Sequence, residues 1–220
     1  LLIASSIAQG NDFPTAAPED VGVSSERLQR LSNTMQRYID SNMLAGTVSL
    51  VSRNGKVIHV ESQGWKNKEN DEPMTDDSIF VIMSMTKPIV STALMMLYEE
   101  GNFLLTDPIT DWIPELEGKQ VVIEEDGINY RMSAHRPITF RHVLSHTAGV
   151  DPSREVLTEE ELALLPRKAT LEETIINRAP LPLSFHPGDD WQYGSSTDYV
   201  ALLVERISGQ SLVDYLQEKI

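Results

Sequence analysis

Apolar residues recur every three or four positions between Ser24 and Met43. Leu28, Leu31, Met35, Tyr38 and Ile39 share one helical face, and Ser24 stands where it can cap the first turn. The spacing predicts an amphipathic helix over 24–43. The period then shortens to that of strands in two β-branched runs, Thr47–Ser52 and Lys56–Ser62. Asn54-Gly55 between them supplies the two positive-φ positions of a type I′ turn, so these runs are predicted to form a β-hairpin. A polar loop is expected over 64–77. Helical spacing dominates from residue 85 onward. Met85–Glu100 is rich in Leu, Met and Ala and meets a terminating Gly101. Further helices are predicted at 139–146, 158–165, 170–179, 197–208 and 211–220. Thr158 with Glu161, and Thr170 with Glu173, have the spacing of capping boxes. Val121–Tyr130, with Asp126-Gly127 inside it, reads as a small second hairpin. A two-stranded hairpin with one wet face is marginal alone, yet the sequence after residue 63 offers no good partner strand. The remainder of the sheet is therefore expected beyond this sequence.

Charge narrows the partners. Eighteen Lys and Arg against 33 Asp and Glu leave a formal charge of −15. Nucleic-acid binding and adhesion to anionic membranes both draw on basic residues, so neither is expected. The absence of cysteine removes disulfides, thiolate nucleophiles and iron–sulfur clusters together. A small molecule or a protein is the partner that remains. The opening run Leu1–Ala8 is apolar and ends in small residues, like the tail of a secretory signal peptide cleaved before Gln9. It is too short to cross a bilayer, which takes about 20 apolar residues. Residues 1–8 are thus expected to be a signal-peptide remnant, and the protein to be periplasmic or secreted. The final helix reaches Ile220 without a cap, which suggests a fragment.

The sharpest chemical candidate is Ser84-Met85-Thr86-Lys87. Side chains three apart share a helical face, so Lys87 can reach over Ser84. Pro88 is disfavoured deep inside a helix and places Ser84 at the N-terminal edge, where free N–H groups and the helix dipole favour a developing oxyanion. A serine nucleophile needs an adjacent base, and lysine serves once it is neutral. The apolar run Ile79-Phe80-Val81-Ile82-Met83 is expected to bury the pair and promote that neutrality. Spacing alone is weak support. With 20 Ser and 7 Lys in 220 residues, chance supplies such a pair about as often as not.

Context decides. Ser84–Pro88 followed by Leu94–Gly101 closely resembles the active-site helix of class C β-lactamase-like serine hydrolases. That family embraces β-lactamases, D-alanyl-D-alanine carboxypeptidases and family VIII carboxylesterases. The resemblance continues in order through Leu105–Ile109, Trp112–Glu115, Ile138–Gly149, Phe185–Gly188 and Trp191–Ser195. It implies an α+β fold: an antiparallel sheet with flanking helices, incomplete in this chain, beside a helical lobe with the cleft between them. Residues 9–220 would be one incomplete domain of this kind, with the helix and hairpin of the α/β part over 24–63 and a mostly helical lobe over 64–220. Such enzymes join Ser-x-x-Lys to two further motifs. By resemblance Tyr193 corresponds to the tyrosine of the second, Tyr-x-Asn, and relays a proton to the leaving group. Ser195 stands where the family has Asn, a residue that helps to hold the lysine and the substrate's amide. Its shorter hydroxyl implies a substrate-binding role that leans towards esters. No Lys-Thr-Gly or similar third motif follows Tyr193.

Other constellations are read as structural. His142 and His146 have a zinc-compatible spacing, but Val143 stands where a His-Glu-x-x-His protease needs Glu, and the resemblance implies a structural turn at His146, so both are assigned to core packing and no metal is expected. Asp107, Asp111, Asp189 and Asp190 lie near Pro or Gly as turn residues, and no cofactor motif is present. The expected function is a serine hydrolase acting by acyl transfer on small esters through Ser84, Lys87 and Tyr193. A β-lactamase or D-alanyl-D-alanine carboxypeptidase, and a non-catalytic binder of cell-wall peptides or a protein, stand as alternatives. Oligomeric state is left open.

Overall fold

The computed structural model describes residues 13–165 and 169–220. The proposed signal remnant at 1–8 lies outside them. The described chain separates into two compact units, one up to Val81 and one from Ile82.

The first unit is a helix on a small sheet. Helix α1 (Ser25–Asp40) starts where Ser24 accepts the Arg27 N–H at 3.3 Å. Its apolar face packs on strands β1 (Gly46–Arg53) and β2 (Lys56–Asn67), and Leu28, Leu31, Met35 and Ile39 are half-buried there. The hydroxyl of the buried Ser32 donates to Glu61 on β2, joining helix to sheet through a polar contact as well. The turn between the strands has the expected hand, with φ of 52° at Asn54 and 71° at Gly55. Gly46 faces Gly64 across the pair, where an added Cβ on Gly46 would lie 2.6 Å from the Trp65 carbonyl oxygen. The expectation that no partner strand for this hairpin follows residue 63 is corrected here. Strand β2 runs on to Asn67, and a two-residue β3 (Glu72–Pro73) pairs with Trp65 and Asn67. Gly64 at φ 76° turns the strand without ending it, and the pairing uses backbone groups that side-chain periodicity does not report.

The second unit is built around two helices in contact, α2 (Thr86–Glu99) and α6 (Ser196–Ser208). Val90, Ala93, Leu94 and Leu97 form the buried stripe of α2. Every residue of α6 from Tyr199 to Val204 is buried, the signature of a helix enclosed by neighbours. Those neighbours include α3 (Phe140–Leu144), α5 (Leu171–Arg178) and α7 (Leu212–Lys219). Helix α4 (Glu159–Ala163) and α5 begin in the predicted capping boxes. A third box opens α3, where Thr139 pairs with His142, whose Nδ1 accepts the Thr139 N–H at 3.1 Å. His142 is therefore a capping residue, which corrects its assignment to core packing; an imidazole nitrogen can take the place of the usual carboxylate. Strands β4 (Gln120–Glu125) and β5 (Ile128–Ser133) form the second hairpin, four residues longer than read from sequence. Phe140 stacks on Phe103 with ring centroids 3.7 Å apart and meets Trp112 edge-on, filling the base of the unit.

Candidate active site

A tight turn over Met83–Met85 leads directly into α2 and carries Ser84. Met83 adopts φ 48°, a left-handed conformation that costs a β-carbon residue roughly 1–2 kcal/mol and redirects the chain into the helix. Lys87 and Pro88 occupy the first helical turn, where proline's missing N–H removes no helical bond. Lys87 Nζ lies 3.3 Å from Ser84 Oγ, as three-residue spacing on one face requires.

Tyr193 arrives from 109 residues away. Its hydroxyl donates to Ser84 Oγ at 2.7 Å, and Lys87 Nζ sits 4.9 Å from its ring centroid. The physical cause is the α2–α6 pairing. Ser84 precedes one helix by two residues, and Tyr193 precedes the other by three, so the two N-termini meet. Both bring the positive ends of their helix dipoles towards this point. Hydrogen bonding to Ser84, and then the Lys87 ammonium, hold the Tyr193 phenol below its ordinary pKa. The Ser84 contact reverses when the phenol ionises, since a phenolate accepts what the phenol donated.

The site is open. Ser84 is exposed and Lys87 half-buried. Ile79 is 99% exposed, Val81 86% and Met83 75%, so the apolar run does not bury the pair, contrary to expectation. Apolarity says that a run is disfavoured in water, but it does not say what covers it.

Three residues near Tyr193 were misread or carry no sequence signal. His146, assigned to core packing, is half-buried with φ 59°, and its ring lies 5.0 Å from that of Tyr193. Burial and the neighbouring Lys87 charge push its pKa down, partly opposed by Asp151. Trp191 stands 6.4 Å from the Tyr193 ring and is 60% exposed, an apolar surface beside that phenol. Asp151 accepts both the N–H and the hydroxyl of Ser195 at 2.6 Å each. Ser195 thus spends its hydroxyl on Asp151, a contact spanning 44 positions that no local pattern announces.

Residues 31–220 match the family model described as Beta-lactamase. The chain belongs to the Beta-lactamase family. Within it, the chain is 31% identical over 190 residues to Esterase EstB of Burkholderia gladioli, covering 83% of this chain and 46% of that protein. Lovastatin esterase of Penicillium rubens is 28% identical over 200 residues, covering 86% of this chain and 49% of that one. The solved structure of EstCE1, titled a hydrolase with promiscuous acyltransferase activity, superposes with a TM-score of 0.71 at 26% identity, over 88% of this chain and 50% of that one. The chain spans about half the length of the curated relatives it matches. The fold is Beta-lactamase-like and α+β, with helices around small antiparallel sheets.

Proposed function

We propose that this Beta-lactamase-family chain carries the nucleophilic centre of a serine hydrolase acting by acyl transfer on small esters. One observation supports this above others: Ser84 Oγ lies within hydrogen-bond reach of a lysine amine at 3.3 Å and a phenol at 2.7 Å. Lys87, once it has shed its own proton, takes the Ser84 proton as Oγ attacks the ester carbonyl. The tetrahedral oxyanion collapses, the C–O bond to the leaving group breaks, and Tyr193 gives its proton to the departing alkoxide. Lys87 is then an ammonium and Tyr193 a phenolate. The phenolate next takes a proton from water, whose oxygen attacks the acyl-enzyme. Ser84 leaves with the Lys87 proton, and both groups are restored. Ester and water have become acid and alcohol.

The esterase relatives, and the diversion of Ser195 to Asp151, favour esters over amides of peptide type. Among the described residues no helix is long and apolar enough to cross a membrane. The export expected from the opening residues remains part of this reading, and cell fractionation checks it. The central experiment compares the full-length gene product with Ser84→Ala on p-nitrophenyl butyrate and on a chromogenic cephalosporin. Ester turnover lost in the variant, together with fluorophosphonate labelling of the unmodified protein alone, is the expected result. Turnover that survives the substitution removes Ser84 from the chemistry. Faster cephalosporin than ester turnover would replace the substrate class.

A further inference from the structure

Tyr193 is 53% exposed and sits in a loop, so its own packing cannot hold the phenol against Ser84. Freezing one loop residue costs roughly 1–2 kcal/mol of backbone entropy, and the loop must be tied down elsewhere. We propose that Asp151 is the positioning residue that fixes the Tyr193 phenol on Ser84, acting through Ser195; this rests on the acyl-transfer reading above.

Three observations converge on it. First, the Asp151 carboxylate takes both donors of one residue, the Ser195 N–H on Oδ2 and the Ser195 hydroxyl on Oδ1, each at 2.6 Å. A two-point, charge-assisted bracket sets orientation as well as distance. Second, it explains Gly194. That glycine is absent from the left-handed region of backbone space, so no turn demands it. A Cβ there would overlap the Asp151 carboxylate oxygen, so the side chain is excluded to let the carboxylate approach. Third, the other flank of Tyr193 is tied to the same segment. Ser184 Oγ lies 2.9 Å from both the Asp151 carbonyl oxygen and Gln192 Oε1, its single proton shared between the two acceptors, and the Gln192 N–H donates to the His146 carbonyl at 2.9 Å. Arg178, with NH1 3.6 Å from Asp151 Oδ1, supplies a counter-charge. Gln192 and Ser195 are therefore anchored on either side of a tyrosine that is itself free to face solvent. Ser195 is a link in this bracket.

The test uses the full-length gene product with Asp151→Ala and Ser195→Ala, alone, together and in a Tyr193→Phe background. A reacting group misplaced by about an ångström costs about a hundredfold. Asp151→Ala is expected to lower kcat by about that factor with KM within threefold. Ser195→Ala should cost less, and the double variant no more than Asp151→Ala alone. In the Tyr193→Phe background Asp151→Ala should cost nothing further, a result that a general loss of structure would not give. Asp151→Asn keeps the shape, and the Ser195 hydroxyl can turn to accept from its amide, so kcat should largely recover. If Asp151→Ala fails to fold, Gly194→Ala displaces the same carboxylate and should lower kcat in the same way. An unchanged kcat, an equal loss with and without the Tyr193 hydroxyl, or an Asn variant as poor as the Ala variant overturns the proposal. Ser84→Ala run alongside keeps the two failures apart: surviving turnover there sinks the acyl-transfer reading itself.

Discussion

Replacing Tyr193 by Phe deletes one oxygen and little else. The ring stays beneath Lys87 Nζ at 4.9 Å and against His146 at 5.0 Å, so a cation–π contact worth about 0.5–1 kcal/mol at an exposed site is retained. The lost bond, 2.7 Å to Ser84 Oγ, joins two exposed groups that water can resatisfy. Stability should therefore move by less than about 1 kcal/mol, the usual net worth of one hydrogen bond. Catalysis should move far more. A positioned general acid contributes typically 10²–10⁴-fold, or about 3–5 kcal/mol of transition-state stabilisation. The size should depend on the leaving group. Nitrophenolate is a weak base and departs without a proton, whereas ethoxide needs one. Tyr193→Phe should thus slow kcat/KM for ethyl butyrate by two to four orders of magnitude, and for p-nitrophenyl butyrate by markedly less. Steady-state kinetics on the two esters, with a thermal melt as control, measures this. Equal losses on both esters would mean that the phenol serves the attack of Ser84 and not the departure of the alcohol, and the proton path proposed here would be wrong.

Two further outcomes follow from charge. Lys87→Arg keeps the positive charge beside Ser84 but cannot become neutral in a protein, so ester turnover should fall to the level of Ser84→Ala; retained activity would show that the lysine never acts as a base. Burial depresses Lys119 from 10.5 to about 8 while its ammonium donates to the carbonyls of Ala179 and Leu181. The folded form then releases this proton more readily than the unfolded one. Stability linked to Lys119 is fully present above the unfolded value and is lost as pH falls through about 8. The urea midpoint should rise between pH 8 and 10, and Lys119→Met should flatten that slope; an identical slope in both proteins would refute the assignment.

Much of the molecule is legible along the chain, because much of it is local chemistry. Ser24, Thr158 and Thr170 announce helix starts through a side-chain oxygen two or three positions before the N–H it accepts. Asn54-Gly55 and Asp126-Gly127 announce hairpins through the positive φ they tolerate. Ser84 and Lys87 belong to the same class of signal, since one helical turn links their spacing to their separation. Strand β3 escaped because two residues have no period, and His142 because imidazole is an unusual partner in a capping box.

Sequence by itself therefore determined most of the elements and the capped helix starts, and put a hydroxyl and an amine on one helical turn. Tertiary packing decided what surrounds them. Tyr193 reaches Ser84 across 109 residues because apolar stripes on α2 and α6 bury each other and bring two helix starts together. Asp151 reaches Ser195 across 44 through the same packed unit. Burial of apolar surface is non-directional, so a stripe of Val, Ala and Leu states that it will be covered and leaves its partner to be settled by the fold. The partner it found is what brings Ser84, Lys87 and Tyr193 to one point.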